Sequence, residues 1–176
     1  MKHKLIIIQI LLVIFSTGLN AQIKNEESLP STPEEIEKQY KRNIKKSIIN
    51  GVYIPFDVND AMKELKKLSP SESLDKFKNA PEDIVAKKLH FGLGRWMIYN
   101  WNFYYGSRLE HYLKGLGVEH PDDMADFLIV SFHRYLNGKD LNSKELAEKF
   151  HKKRLEIIKK NREVIDTIRI KSSGKK

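Results

Sequence analysis

The chain of 176 residues contains no cysteine. That excludes a disulfide, a thiolate metal ligand and a thiol nucleophile, and it leaves no cysteine to carry a lipid behind a signal sequence. No internal repeat, phosphate loop or nucleophile elbow is present either, so covalent catalysis and nucleotide binding lack a local signature. The apolar run from Leu5 to Phe15, broken only by Gln9, falls well short of the roughly 20 residues that span a bilayer as a helix.

That run follows Lys2 and Lys4 and precedes Leu19-Asn20-Ala21, the three parts of a secretory signal. Residues 1–21 are therefore expected to be removed after Ala21. This leaves an exported chain, periplasmic or extracellular and not a lipoprotein, of about 155 residues, enough for one core held together by packing alone.

Charge is unevenly placed. Residues 22–138 carry 17 Lys+Arg against 17 Asp+Glu, whereas residues 139–176 carry 13 against 6. The folded centre is neutral, and export removes most nucleic acid from reach, so nucleic acid is not the expected partner in spite of a pI near 9.5.

Helix punctuation recurs along the chain. Thr32-Pro33-Glu34-Glu35, Asp57-Val58-Asn59-Asp60, Ser69-Pro70-Ser71-Glu72, Ser107-Arg108-Leu109-Glu110 and Asn142-Ser143-Lys144-Glu145 place a side-chain acceptor before a helix and an acid three positions on. Pro33, Pro70, Pro81 and Pro121 suit first helical positions, and Gly51, Gly106, Gly115 or Gly117, and Gly138 suit helix ends. The expected fold is all-α, an irregular bundle of about six to seven helices over 33–49, 58–68, 70–78, 81–102, 108–115, 121–136 and 143–169. Only Val52 to Phe56 reads as extended, and Pro55 argues against a central strand.

The corresponding organisation is a flexible lead-in (22–32), an N-terminal helix with an extended linker (33–57), a helical core (58–139), a long basic C-terminal helix (140–170) and a disordered tail (171–176). On the C-terminal helix Leu146, Phe150, Ile157, Val164 and Ile168 form a narrow stripe interrupted by Arg154 and Asn161. It is expected to pack by that edge on the bundle, with contact to an anionic surface as the alternative.

The segment from Phe91 to Tyr105 holds seven aromatics, including both tryptophans. Val85, Leu89, Leu93, Trp96, Met97 and Trp101 follow helical spacing, so both tryptophans are expected in the core. Gly92 and Gly94 each cost about 1 kcal/mol relative to Ala within a helix, which implies either close packing or an interruption there. Asn102-Phe103-Tyr104-Tyr105 exceeds what one helix edge can bury. Arg95, Tyr99, Tyr104, Tyr105 and Arg108 are therefore the candidate ligand-binding residues, by stacking and bidentate hydrogen bonds. The competing role for Arg108 is a pair with Glu110 or a helix end.

His120-Pro121-Asp122-Asp123 and His133-Arg134 invite a metal or acid–base reading. His120 and His133 are thirteen residues apart, about 20 Å along a helix, and Asp126 and His133 about 10 Å. No pair has the spacing of a zinc helix, so no metal or cofactor is expected. Asp122 and Asp123 have an ordinary role at a positive helix end. A site assembled between helices would draw its acid–base groups from His90, His111, His120, His133 and Asp122, Asp123 or Asp126, with His90, beside Gly94, given room.

The string HFGLGRWMIYNW, followed by GSRLEHYLKGLGVEHPDDMADFLIVSFHRYLNGK, resembles an uncharacterised bacterial family, a domain of unknown function found in small exported or stand-alone proteins. The resemblance covers about residues 58–139 through FGLG-x-W, N-W, SRL, HPDDM and HRYLNGK. It supports one folded unit there and implies no reaction, cofactor or catalytic residue. The expectation is therefore a non-enzymatic exported module that binds a protein or cell-envelope component. The alternative is a small hydrolase-like enzyme with a His/Asp site between helices.

Overall fold

The structure, a computed structural model, describes residues 30–173, with side chains up to residue 168. The expected signal segment, residues 22–29 of the lead-in and residues 174–176 of the tail lie outside the described residues. Helix α1 (Pro33–Asn43) leads into a hairpin of β1 (Ile48–Ile49) and β2 (Val52–Tyr53). Helices α2 (Val58–Leu68), α3 (Ser71–Lys78) and α4 (Glu82–Leu89) follow, then a π-helical turn (His90–Gly94), α5 (Arg95–Asn100), α6 (Arg108–Gly115), α7 (Pro121–Leu136) and α8 (Ser143–Ser173). Taking α4 to α5 as one interrupted helix, seven helices form an all-α bundle among the described residues.

Local chemistry sets most of the ends. Asp57 caps α2 by accepting from the Asp60 amide at 2.8 Å, and Ser107 caps α6 by accepting from the Glu110 amide at 3.2 Å. Pro121 opens α7 inside its first turn, while Pro70 and Pro81 sit one residue earlier than expected, at the N-cap. Gly117 and Gly138 have positive φ, and the amides of Val118 and Lys139 reach back to the carbonyls of Leu113 and Arg134, the double closure that lets a helix stop without orphaned carbonyls.

Two boundaries differ from expectation. The first helix stops at Asn43 instead of continuing to residue 49, and Ile48 pairs with Tyr53 and Ile49 with Val52 in an antiparallel hairpin. Asn50 and Gly51 both have positive φ, 50° and 77°, the geometry of a two-residue turn that matches strand twist. Gly51 thus closes a hairpin and is not a helix stop. At the other end α8 runs to Ser173, three residues into the segment expected to be disordered.

The core is centred on α7. Met124, Ala125, Phe127, Leu128, Ile129 and Phe132 are buried on it, and α2, α3, α4, α5, α6, α8 and the π turn all pack against it. Ile49 from the hairpin, Ile54 just after it and Leu146, Ala147 and Phe150 from α8 complete the core, which therefore extends beyond 58–139 on both sides. The α8 stripe does not pack along its length: from Leu155 to Ile168 every residue is exposed.

Candidate functional site

The segment from His90 to Tyr105 is shaped by a change of helical pitch. A π turn inserts one residue into the repeat, and here it spans His90 to Gly94. The two glycines divide the roles left open by the sequence. A Cβ at Gly94 would sit 3.5 Å from Ile129 Cδ1 and 3.6 Å from Ala125 Cβ, whereas one at Gly92 would meet nothing. Gly94 thus faces α7 at a distance where a methyl group would make ordinary contact and a larger side chain would meet Ile129 and Ala125, and the interruption lies around both.

The shift in phase decides which rings are buried. Trp101 and Phe103 are enclosed, and so are Met97 and Ile98. Phe91, Tyr99, Tyr104 and Tyr105 are 82, 85, 67 and 59 % exposed. Trp96, expected in the core, is 37 % exposed and meets Trp101 edge-on at 5.7 Å between centroids. Five of the seven aromatics thus face outward. The turn that presents the last two is rigid: Asn102 has φ 57° and its side-chain amide donates to the Gly106 carbonyl at 2.8 Å. Asn43 donates to the Tyr105 carbonyl at 3.2 Å.

The two candidate arginines separate. Arg95 is exposed on the same helix as Tyr99. Arg108 does not serve the tyrosines or pair with Glu110. Its Nε donates to the Ile54 carbonyl at 2.7 Å, and its guanidinium lies 5.2 Å from the Tyr53 ring centre and 5.9 Å from that of Phe56. It fastens the hairpin to α6. Glu110 instead meets Lys114 at 2.5 Å.

The histidines and acids are brought together only in part. His90 Nδ1 lies 2.8 Å from Asp126 Oδ1, and its Nε2 is 3.8 Å from Asp122 Oδ1. The room expected beside it is taken by this pair and by the Phe91 ring, edge-on at 5.1 Å. His120 caps α7, its Nδ1 accepting from the Asp122 amide at 3.2 Å. Asp123 is held by Arg154 Nε at 2.5 Å. That hydrogen bond, helped by the nearby charges of Asp122 and Asp126, raises the Arg154 pKa. His133 is buried away from the others, with Nε2 donating to the Ala80 carbonyl at 2.8 Å and Nδ1 left 3.8 Å from Glu82 Oε2.

Asp122 and Asp123 occupy the first turn of α7, where the positive helix end favours carboxylates. Among the described residues no group of three or more His, Cys, Asp or Glu is arranged to hold a metal ion. A cleft along α7 is lined by Asp126 but by none of His90, His120, Asp122, Asp123 and His133. The arrangement can orient the His90 ring and fix α8 on α7. Asp122 lies 3.8 Å from His90 and 3.7 Å from His120 at the start of α7, whereas His133 lies apart, and none of these four lines that cleft.

The partners of His90 and Arg108 lie 36 and 54 residues away in sequence, so no local pattern could have supplied them. The Asn50-Gly51 pair flanked by β-branched residues was a local hairpin signal.

Residues 54–136 match the model of a family described as a domain of unknown function, DUF6794, which bears out the resemblance read over 58–139. The match begins after the hairpin and ends with α7, so it contains the aromatic segment and the His90–Asp126 pair and omits α1 and α8. Comparisons with curated proteins and with solved structures give no match.

Proposed function

We propose that the mature chain is an exported, non-enzymatic binding module that engages a protein or cell-envelope component through the aromatic face of the π turn, α5 and the turn after it. The supporting observation is the outward placement of Phe91, Trp96, Tyr99, Tyr104 and Tyr105. Rings left in water forgo the burial that stabilises a core, and Tyr and Trp are the residues most enriched where interfaces concentrate their binding energy. Arg95 adds a cation on the same helix. The export part of the reading rests on the N-terminal pattern of Lys2, Lys4, Leu5 to Phe15 and Ala21. The basic outer half of α8, with Ile158, Val164, Ile165 and Ile168 exposed among lysines and arginines, supplies a weaker contact to an anionic surface.

A photo-crosslinking residue placed at Tyr99 or Tyr104 is expected to trap an envelope component, and the same residue at Lys66, on exposed α2 surface, is not. With the crosslinking residue at Tyr105 instead, Tyr99→Ala with Tyr104→Ala should abolish the adduct while leaving the melt unchanged, because neither ring is packed. If the double variant retains every interaction of the parent chain, this face is not the binding surface.

A further inference from the structure

On the opposite flank of the π turn, α4, α7 and α8 enclose a groove of about 460 Å³, a volume typical of small-molecule sites. Its axis is a single row on α7, Asp126, Val130 and Arg134, each four residues from the next, which makes it about 12 Å long. Ala86, Val130, Leu146 and Phe150 give it an apolar floor.

The charges around this floor are of two kinds. Those at the ends are satisfied within the fold: Asp126 by His90 at 2.8 Å, and Arg134 by Glu82 at 2.8 Å and the Leu141 carbonyl at 2.9 Å. Arg134, together with Lys139 and His133, holds the Glu82 carboxyl below its ordinary value against the opposing effect of burial. Those on the walls are not satisfied. Lys87 from α4 and Lys149 and Lys153 from α8 line the groove, and among the described residues none of them meets a carboxylate. Lys153 lies over the Phe150 ring at 5.9 Å. Asp83 is the only acid on the walls without such a partner.

We propose that this groove is a binding site for a small amphipathic anion, whose carboxylate or phosphate head is held by Lys87, Lys149 and Lys153 and whose apolar body lies over Ala86, Val130, Leu146 and Phe150. A neutral apolar ligand would cover the floor and gain nothing from three ammonium groups, and a cation would be repelled by them. A polymer would not be enclosed by a groove this short. This site is independent of the aromatic face: it opens between other helices and shares no residue with it.

The test is calorimetric titration of the full chain with decanoate, decyl phosphate, decanol and decyltrimethylammonium, each below its micellar concentration. Both anions should bind saturably at one site, about tenfold or more tighter than decanol, a difference of about 1.4 kcal/mol, and the cation should not bind. The tighter of the two anions identifies the head group. Lys87→Glu with Lys149→Glu, at exposed positions, should weaken the anions about tenfold with an unchanged melt. Ala86→Leu, which fills the floor, should weaken all chains alike. Ile165→Ser, on the outer half of α8, should change nothing. Equal binding of anion and cation, no saturable binding, full affinity in the lysine variant, or loss of binding in Ile165→Ser would each overturn the assignment.

Discussion

Tyr40 and Glu110 show how a single residue's surroundings set its chemistry. Glu110 is the third residue of α6 and is 2 % exposed; one oxygen meets Lys114 and the other is buried without a hydrogen-bond partner. Tyr40, from α1, lies beside this carboxylate and places its hydroxyl 3.2 Å from His111 Nδ1. Burial first, then the nearby negative charge of Glu110, push the Tyr40 phenol from 10.0 up to about 12. A phenol with a raised folded value favours the folded state fully below pH 10.0 and loses that contribution as pH climbs through about 12. In an absorbance-followed alkaline titration, one phenol should therefore ionise late, and Tyr40→Phe should remove that phase and flatten the fall in stability over the same window. Tyr53, raised chiefly by its hydrogen bond to Asp60, requires Tyr53→Phe as the control. A titration unchanged by Tyr40→Phe would contradict the assignment. Neither neighbour was legible in the sequence, because Tyr40 meets His111 across 71 positions.

Elements were more legible, where their signals are local. Asp57, Ser107 and Pro121 mark helix starts because the amides they satisfy lie within three residues, and Gly117 and Gly138 mark ends because only the left-handed region closes the last carbonyls. The helix from Glu82 to Asn100 is the case where local reading stopped short. Gly92 and Gly94 signalled a cost, but the choice between an interruption and a close approach depended on α7. The two positions should now respond differently. Gly92→Ala enters open space and should stabilise the chain by about 0.5–1 kcal/mol by restricting the unfolded state. Gly94→Leu must place a branched side chain against Ile129 and Ala125 and should destabilise it by about 1–3 kcal/mol. Urea melts of the two variants measure both. Equal effects would mean that position 94 does not face α7.

At the scale of the molecule, α8 divides into a packed half and a free half. Its 31 residues extend about 46 Å, yet the last side chain it contributes to a described partner in the bundle is Arg154, bound to Asp123. Removing the residues after Lys160 should leave the thermal midpoint within about 2 °C. The same truncation should abolish salt-sensitive retention on vesicles containing anionic phospholipid, the behaviour expected of a basic apolar stripe. A large fall in the midpoint would show that the outer half packs on the bundle. Retention that survives both truncation and high salt would remove the anionic-surface contact.

The all-α class, the number of helices and most of their limits were determined by the sequence alone, because caps, prolines, terminal glycines and helical periodicity act over three or four residues. The matched family segment was legible for the same reason, from contiguous strings. Only the tertiary structure decided which rings of the aromatic segment are core. One added residue in the π turn rotates everything after it, and the core around α7 takes Met97, Ile98, Trp101 and Phe103 and leaves Phe91, Tyr99, Tyr104 and Tyr105 outside. It likewise assigned Arg108 to the hairpin and His90 to Asp126. Those contacts join side chains that are distant in the chain, and their geometry follows from how helices pack.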